Sequence, residues 1–274
     1  MEKLETYKGY TFGIEYVDCP INPRDEYENL ATFVCADDRR YYLGDEQCNL
    51  DNALRALLEK HLSAKYIIDY LTEHQKGEWI LGDEHFDKYF QFKSIYNDIV
   101  SIGTKDNYTL EDVVFGTYDG GYVKSDNILD ELTDIEIYKM LSNSDDICVY
   151  PISAYEHGEI ILWLGNMNNH FDSKWDCSYV GFAYITKDEF KDYYLRGNIH
   201  TGLWKERARE IMEDEINKYN AYLNGIVFRL FVVDKFNNIE SIDIDLYGRE
   251  ELEREINYTK SEIDKELSKE CVTH

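Results

Sequence analysis

The last third of the chain commits it to one local topology. Residues 201–223 place Leu203, Ala208, Ile211, Ile216, Tyr219 and Leu223 on one face of a helix, and Asn224-Gly225 ends it. Two apolar runs follow, Ile226–Val233 and Ile239–Leu246, the second alternating strictly. The short stretch around Phe236–Asn238 cannot hold a crossover, which needs a dozen or more residues. The two runs therefore pair as an antiparallel hairpin.

Upstream, strand and helix patterns mix without regular βαβ alternation. Tyr10–Asp18 alternates as a strand, and Pro20 and Pro23 make the next stretch a loop. Leu30–Cys35 is an apolar run of strand length, followed by a polar loop with a turn at Gly44-Asp45. Asp51–Gln75 reads as helix through Leu54, Leu57, Leu58, Leu62, Ile67, Ile68 and Leu71, with Asn49 or Asp51 as cap, a break at Ser63 and a stop at Gly77. Residues 109–123 read as two short strand-like runs around Asp119-Gly120-Gly121, and Ser125 or Asp126 opens a helix through Leu141. Ile147–Ser153 and Glu159–Leu164 read as paired strands, Asn166–Lys174 as a loop, Tyr179–Ile185 as a strand, and Thr186 as the cap of a short helix. Glu250–Glu270 is a charged helix whose apolar positions Leu252, Ile256, Ile263 and Leu267 are sparse, which reads as a surface-laid extension.

The fold class expected is α+β, a mostly antiparallel sheet with packed helices. At 274 residues the chain suits one domain with a sizeable core. Residues 1–274 are read as that domain, with 78–130 an inserted middle lobe and 249–274 a C-terminal helical extension.

Charge narrows the function classes. There are 55 acidic residues against 29 basic, a formal net charge of −26. Direct nucleic-acid binding is disfavoured because phosphate contacts need clustered Lys and Arg, and anionic membranes are disfavoured for the same reason. Such a field attracts cations and basic proteins, although negative charge also serves plain solubility. The 24 tyrosines suit contact surfaces, since a ring can be buried while its hydroxyl stays wet. Cys19, Cys35, Cys48, Cys148, Cys177 and Cys271 are scattered with no CxxC pair. The chain opens without an apolar signal region, and no window approaches a membrane span. The expected setting is a reducing host cytoplasm, with the cysteines as small hydrophobes.

Candidate chemistry concentrates in residues 155–182. His157, His170, Asp172 and Asp176 are types that bind metals or move protons, and Cys177 beside them suggests a Cys–His pair. The spacing fits no zinc pattern, there is no HExxH, and a nucleophilic Cys needs an electropositive pocket that this composition hardly supplies. Polar loops of this kind are usually turns. GxxxxGK[ST] and GxGxxG are absent, so no cofactor or metal is expected. What remains is carboxylate abundance: Asp37, Asp38, Asp83, Glu84, Glu111, Asp112, Asp145, Asp146, Glu213, Asp214 and Glu215, with Glu250-Glu251 beyond. Duplex DNA carries a negative charge per about 1.7 Å of axis. A surface of comparable carboxylate density can occupy a basic DNA-binding groove.

Several segments resemble an uncharacterised family of acidic bacteriophage and mobile-element proteins. Asn29-Leu30-Ala31-Thr32-Phe33-Val34-Cys35 and then Arg39-Arg40-Tyr41-Tyr42-Leu43-Gly44-Asp45-Glu46 resemble NLGTMVCxHRRYxLGDE. Ala154-Tyr155-Glu156-His157-Gly158, with Trp175-Asp176-Cys177-Ser178-Tyr179-Val180-Gly181-Phe182-Ala183-Tyr184-Ile185-Thr186-Lys187-Asp188, resembles LYDHSG and WDSGQVGFIYVSKE. Tyr219, Tyr222, Leu223, Gly225, Val227 and Phe228 resemble YxxYLxGxVY, and Tyr247-Gly248 is what stays of VDSCWGFYG. The likeness covers 10–60 and 145–248. The chain departs from it at Asp38 (His in the pattern), at Cys177-Ser178-Tyr179 (Ser-Gly-Gln) and at the missing Cys-Trp, which turns the reading from catalysis towards binding.

The resemblance implies a mobile-element accessory protein. Joined to the charge argument, the expectation is an acidic inhibitor of a basic, nucleic-acid-binding host defence complex, such as a CRISPR effector or a restriction enzyme. It would act by DNA mimicry, without contacting nucleic acid or membrane itself, and a homodimer is compatible with it. The alternatives are an enzyme acting on a nucleotide or nucleotide signal through the 155–182 loop, and a structural or regulatory phage protein. One prediction follows from the cysteines alone. Thiol counting on denatured, unreduced protein gives all six reactive, and two or more disulfides in fresh cytoplasmic material would overturn it.

Overall fold

The computed structural model describes residues 2–26, 28–36, 43–93, 98–104, 109–116, 118–119, 122–123, 127–165, 177–194, 203–236 and 238–272. In chain order the elements are β1 (Glu2–Tyr7), β2 (Tyr10–Tyr16), α1 (Pro23–Glu26), β3 (Thr32–Ala36), β4 (Glu46–Cys48), α2 (Leu50–His61), α3 (Ala64–Glu73), β5 (Gly77–Leu81), β6 (Lys88–Lys93) and β7 (Ile99–Thr104). Then come α4 (Leu110–Phe115), β8 (Tyr118–Asp119), β9 (Tyr122–Val123), a single 3-10 turn (Leu129–Glu131), α5 (Asp134–Asn143), β10 (Ile147–Glu156), β11 (Ile160–Leu164) and β12 (Cys177–Thr186). The chain closes with α6 (Lys187–Tyr194), α7 (Trp204–Leu223), β13 (Val227–Val233), β14 (Ile239–Tyr247) and α8 (Gly248–Val272). The protein is α+β with mostly antiparallel sheets and a C-terminal helix.

Local chemistry sets many of these boundaries. Asn49 accepts from the backbone of Asp51 and Asn52, and Ser63 accepts from Tyr66 N–H at 3.2 Å, so two caps split the predicted long helix into α2 and α3. The stop of α3 is Gln75, not Gly77. Gln75 adopts φ +55°, its N–H donates to Thr72 O at 3.1 Å, and Lys76 N–H donates to Leu71 O at 2.8 Å. That is the bonding pattern in which a left-handed residue closes a helix. Gly225 closes α7 the same way at φ +65°, with Gly225 N–H on Tyr222 O and Ile226 N–H on Ala221 O.

Four elements depart from the sequence reading. Thr109 and Asp112 form a capping box, so Leu110–Phe115 is helical where its Val-Val-Phe run reads as strand. Helix α5 starts behind a second box, Thr133 with Glu136, and not at Ser125 or Asp126. Strands β1 and β4 carry no sequence signal of their own and are held by their neighbours.

The chain divides into two compact units, 1–31 with 151–180 and 209–274, and 32–150 with 181–208. In the first, β1-β2-β13-β14 form an antiparallel sheet, and β11 pairs with the end of β10. Helix α8 is no loose extension: Leu252, Ile256 and Ile263 are buried against Phe12, Ile14, Phe228, Leu230, Val232 and Leu246. Lys260 meets Glu5 at 2.7 Å, and Asp264 accepts from Tyr7 Oη at 2.9 Å and Lys8 Nζ at 2.8 Å.

In the second unit β10, β12, β3 and β4 are neighbours in that order, β3 antiparallel to β12 and parallel to β4. Beside them lie the three-stranded β5-β6-β7 sheet and helices α2 to α5. Residues 78–130, expected as a separate lobe, belong to this unit's core. Phe90, Phe92, Ile102, Val113, Val114, Ile128 and Leu129 pack in one cluster with Leu58, Ile67, Leu71, Ile137 and Leu141. The apolar side chains that make the stretch look self-sufficient are spent on α2, α3 and α5.

Deleting Trp79–Ser125 therefore abolishes cooperative unfolding. Losing a buried Phe costs about 3–5 kcal/mol, and two of them with three buried aliphatics exceed a typical domain stability of roughly 5–15 kcal/mol. A deletion variant with a sharp thermal transition would overturn this.

Candidate interaction surface

The segment that carries the candidate catalytic residues is described only at its ends. Asp172 and Asp176, with His170, lie outside the described residues. His157 sits exposed in the β10–β11 turn, where its N–H donates to Glu159 O at 3.2 Å and Gly158 takes φ +82°. Cys177 opens β12, half-buried. Among the described residues no three His, Cys, Asp or Glu side chains gather as metal ligands. Cys19, Cys35, Cys48, Cys148 and Cys177 stand outside any disulfide, and Cys35 and Cys148 are buried.

The acidic candidates separate into carboxylates used by the fold and carboxylates presented to solvent. Glu215 is used. Its Oε2 accepts from Arg24 Nη1 at 2.6 Å, its Oε1 from the backbone N–H groups of Leu30 and Ala31 at 2.8 and 3.3 Å, and Arg24 Nη2 donates to Ala31 O at 2.6 Å. The two side chains are 2% and 12% exposed, so this is a buried ion pair with most of its hydrogen bonds met. Asp112 is the partner in the α4 capping box. Asp145 accepts from Lys187 and, at 3.1 Å, from Trp204 Nε1; the Lys187 ammonium, then the indole, hold its carboxyl below the usual range. Asp83 builds the β5–β6 turn, accepting from His85 N–H, Phe86 N–H and Tyr89 Oη. The phenol contributes most to lowering its pKa, and the Tyr89 pKa is raised in return.

Glu84, Glu111, Asp146 and Asp214 are exposed, and Glu213 pairs with Arg209 one helical turn away at 2.8 Å. Asp37 and Asp38 lie outside the described residues. In each unit carboxylates outnumber Lys and Arg by about two to one, so neither unit alone holds the acidic surplus.

Several residues of segments 29–46, 175–188 and 219–248 are architectural. Gly44 at φ +72° leaves no space for a Cβ, which would sit 2.7 Å from Phe33 O, and Asp45 brackets Phe33 by a bond in each direction. Gly181 faces β3 so closely that a Cβ would lie 2.0 Å from Val34 O. Tyr219 and Tyr222 stack at 6.1 Å beside the Gly225 stop, and Tyr247 Oη donates to Ile21 O at 2.7 Å.

Two concavities lie among the described residues. A groove of about 680 Å³ in the second unit is lined by Thr72, Gln75, Lys76, Gln91 and Lys93 among others. Much of its polar lining is bonded internally: Thr72 to Ile68 O, Gln91 to Ser101, Lys76 to Glu136. A cleft of about 220 Å³ in the first unit lies between α7 and the start of α8 and is bridged by Lys218 and Glu251 at 3.4 Å. The buried Nε2 of His61 lacks a hydrogen bond, and burial pushes that imidazole's pKa down, keeping it neutral. Compared with known protein families, curated proteins and solved structures, the chain matches none.

Sequence reasoning treats Glu213, Asp214 and Glu215 as one acidic run; burial distinguishes them. Glu215→Ala leaves Arg24 charged and enclosed, and costs about 3–5 kcal/mol. Glu84→Ala at an exposed turn changes stability by less than about 0.5 kcal/mol. Urea unfolding of both variants checks the contrast, and equal midpoints would refute it.

Proposed function

We propose that this protein is an acidic anti-defence protein of a phage or mobile element. It binds the nucleic-acid-binding surface of a basic host defence complex, a CRISPR effector or a restriction enzyme, in place of DNA. The observation that supports this reading is the net charge of −26 carried by both units, with Glu84, Glu111, Asp146 and Asp214 turned to solvent. A basic groove gives up its counterions equally to phosphates and to carboxylates of similar density, and the long-range field speeds encounter. Among the described residues no helix is long and apolar enough to cross a membrane.

Mimicry of this kind spreads its free energy over many weak pairs. Each exposed pair contributes about 0–1 kcal/mol, so reversing Glu84, Glu111 and Asp214 to Lys together weakens binding by on the order of 1–3 kcal/mol, about ten- to a hundredfold. Binding of the unmodified protein falls steeply from low to moderate salt. His157→Ala leaves inhibition nearly intact. Competition against duplex DNA on a panel of purified CRISPR effectors and restriction enzymes measures all three. Failure to displace DNA from any member, or loss of activity in His157→Ala with no salt dependence, would defeat the reading.

A further inference from the structure

Strand β11 ends its sheet, yet the open side of its backbone is met by helix α7. Asn224 Oδ1 accepts from Ile160 N–H at 3.1 Å, and its Nδ2 donates to Ile160 O at 2.7 Å. Asn220 does the same for Leu162, accepting from its N–H at 2.8 Å and donating to its carbonyl at 2.9 Å. Each amide thus gives one strand residue an acceptor and a donor, the two bonds that a neighbouring antiparallel strand gives to alternate residues. The spacings agree: four residues of helix rise about 6 Å, and two residues of strand about 6.6–6.8 Å.

The strand so covered is the one whose own sequence offers no protection. It reads IILWL, β-branched and aromatic, with no charge, Pro or Gly. The edge strands of the first unit's four-stranded sheet are guarded differently. There β1 reads EKLETY and β14 reads IESIDIDLY, and both pairings contain a register shift. Asn220 lies in the last turn of α7 and Asn224 directly after its end, and asparagine is a weak helix former, so its place in that turn serves a contact made elsewhere.

We propose that Asn220 and Asn224 form a surrogate strand that seals β11 against edge-to-edge pairing with β11 of a second copy of this chain. The occupant excluded is a second copy because the segment is apolar and uncharged, so the net charge that separates copies elsewhere has no carboxylate within this strand. Two identical antiparallel edges are also self-complementary about a two-fold axis. The proposal is independent of any anti-defence role.

The test uses the full-length Asn220→Ala/Asn224→Ala variant, in which alanine suits the last turn of α7 and the amide contacts to β11 are lost together with the Asn224 Nδ2 bond to Asn220 O. Light scattering follows mass against concentration, and hydrogen exchange follows the amides of Ile160 and Leu162. The expected result is self-association that grows with concentration. The two amides exchange about tenfold or more faster than in the unmodified chain when dilute, and regain protection when concentrated. Adding Ile161→Lys, a charge at a half-buried position of the strand, returns the mass to that of the unmodified chain. If the double variant fails to fold, Asn224→Ala alone frees the Ile160 amide and leaves Leu162 protected. Mass and exchange equal to the unmodified chain at every concentration, association that Ile161→Lys leaves unchanged, or equal protection of both amides in Asn224→Ala would overturn the proposal.

Discussion

Strand β3 has no spare room on either side, and the second unit is arranged around that constraint. Phe33, Val34 and Cys35 are all buried. Towards β12, Gly181 lies against Val34 O where no side chain fits; towards β4, Gly44 lies against Phe33 O and Cys35 Sγ. The close approach lets Asp45 satisfy Phe33 on both N–H and carbonyl, at 2.7 and 2.9 Å, just before the parallel ladder to β4 begins. Buried backbone groups must be paired, so a Cβ at either glycine would force the strands apart and strand several of them at once.

Segments 43–46 and 180–182 meet at β3, and their glycines and Asp45 have structural tasks that account for their presence without any chemistry. Function is then more reasonably sought in what these elements hold outward. Carboxylates divide in just this manner: Glu215, Asp112, Asp145 and Asp83 hold the fold, whereas Glu84, Glu111, Asp146 and Asp214 face water. Only the second group can be replaced without loss of those structural bonds.

Helix α7 shows how one element serves several demands. Glu215 reaches the chain at Arg24, Leu30 and Ala31, Asn220 and Asn224 reach β11, and Tyr219 is buried. Lys205, Glu215, Lys218 and Asn220 are held in long-range bonds, whereas Arg209 and Glu213 pair along the helix and Asp214 faces water.

The sequence by itself determined the fold class, the helix break at Ser63, the cap at Thr186, whose Oγ1 accepts from Glu189 N–H at 3.2 Å, the stop at Gly225 and the terminal hairpin, and it narrowed the α2 cap to Asn49 or Asp51. Each of these acts over a turn or two of chain, where residue type and spacing are the whole cause. It also determined the net charge. Tertiary structure alone decided that Phe90, Phe92, Ile102, Val113 and Val114 join the second unit's core, that the three-residue β4 is a strand, and that Leu110–Phe115 is helical despite its β-branched run. It alone decided, too, that Glu215 is enclosed while Asp214 is exposed. Arg24 and Glu215 stand 191 positions apart, and Asn220 stands 58 from Leu162. A carboxylate or an amide has the same local signature whether it meets water or a distant backbone group, and only the packed chain supplies that partner.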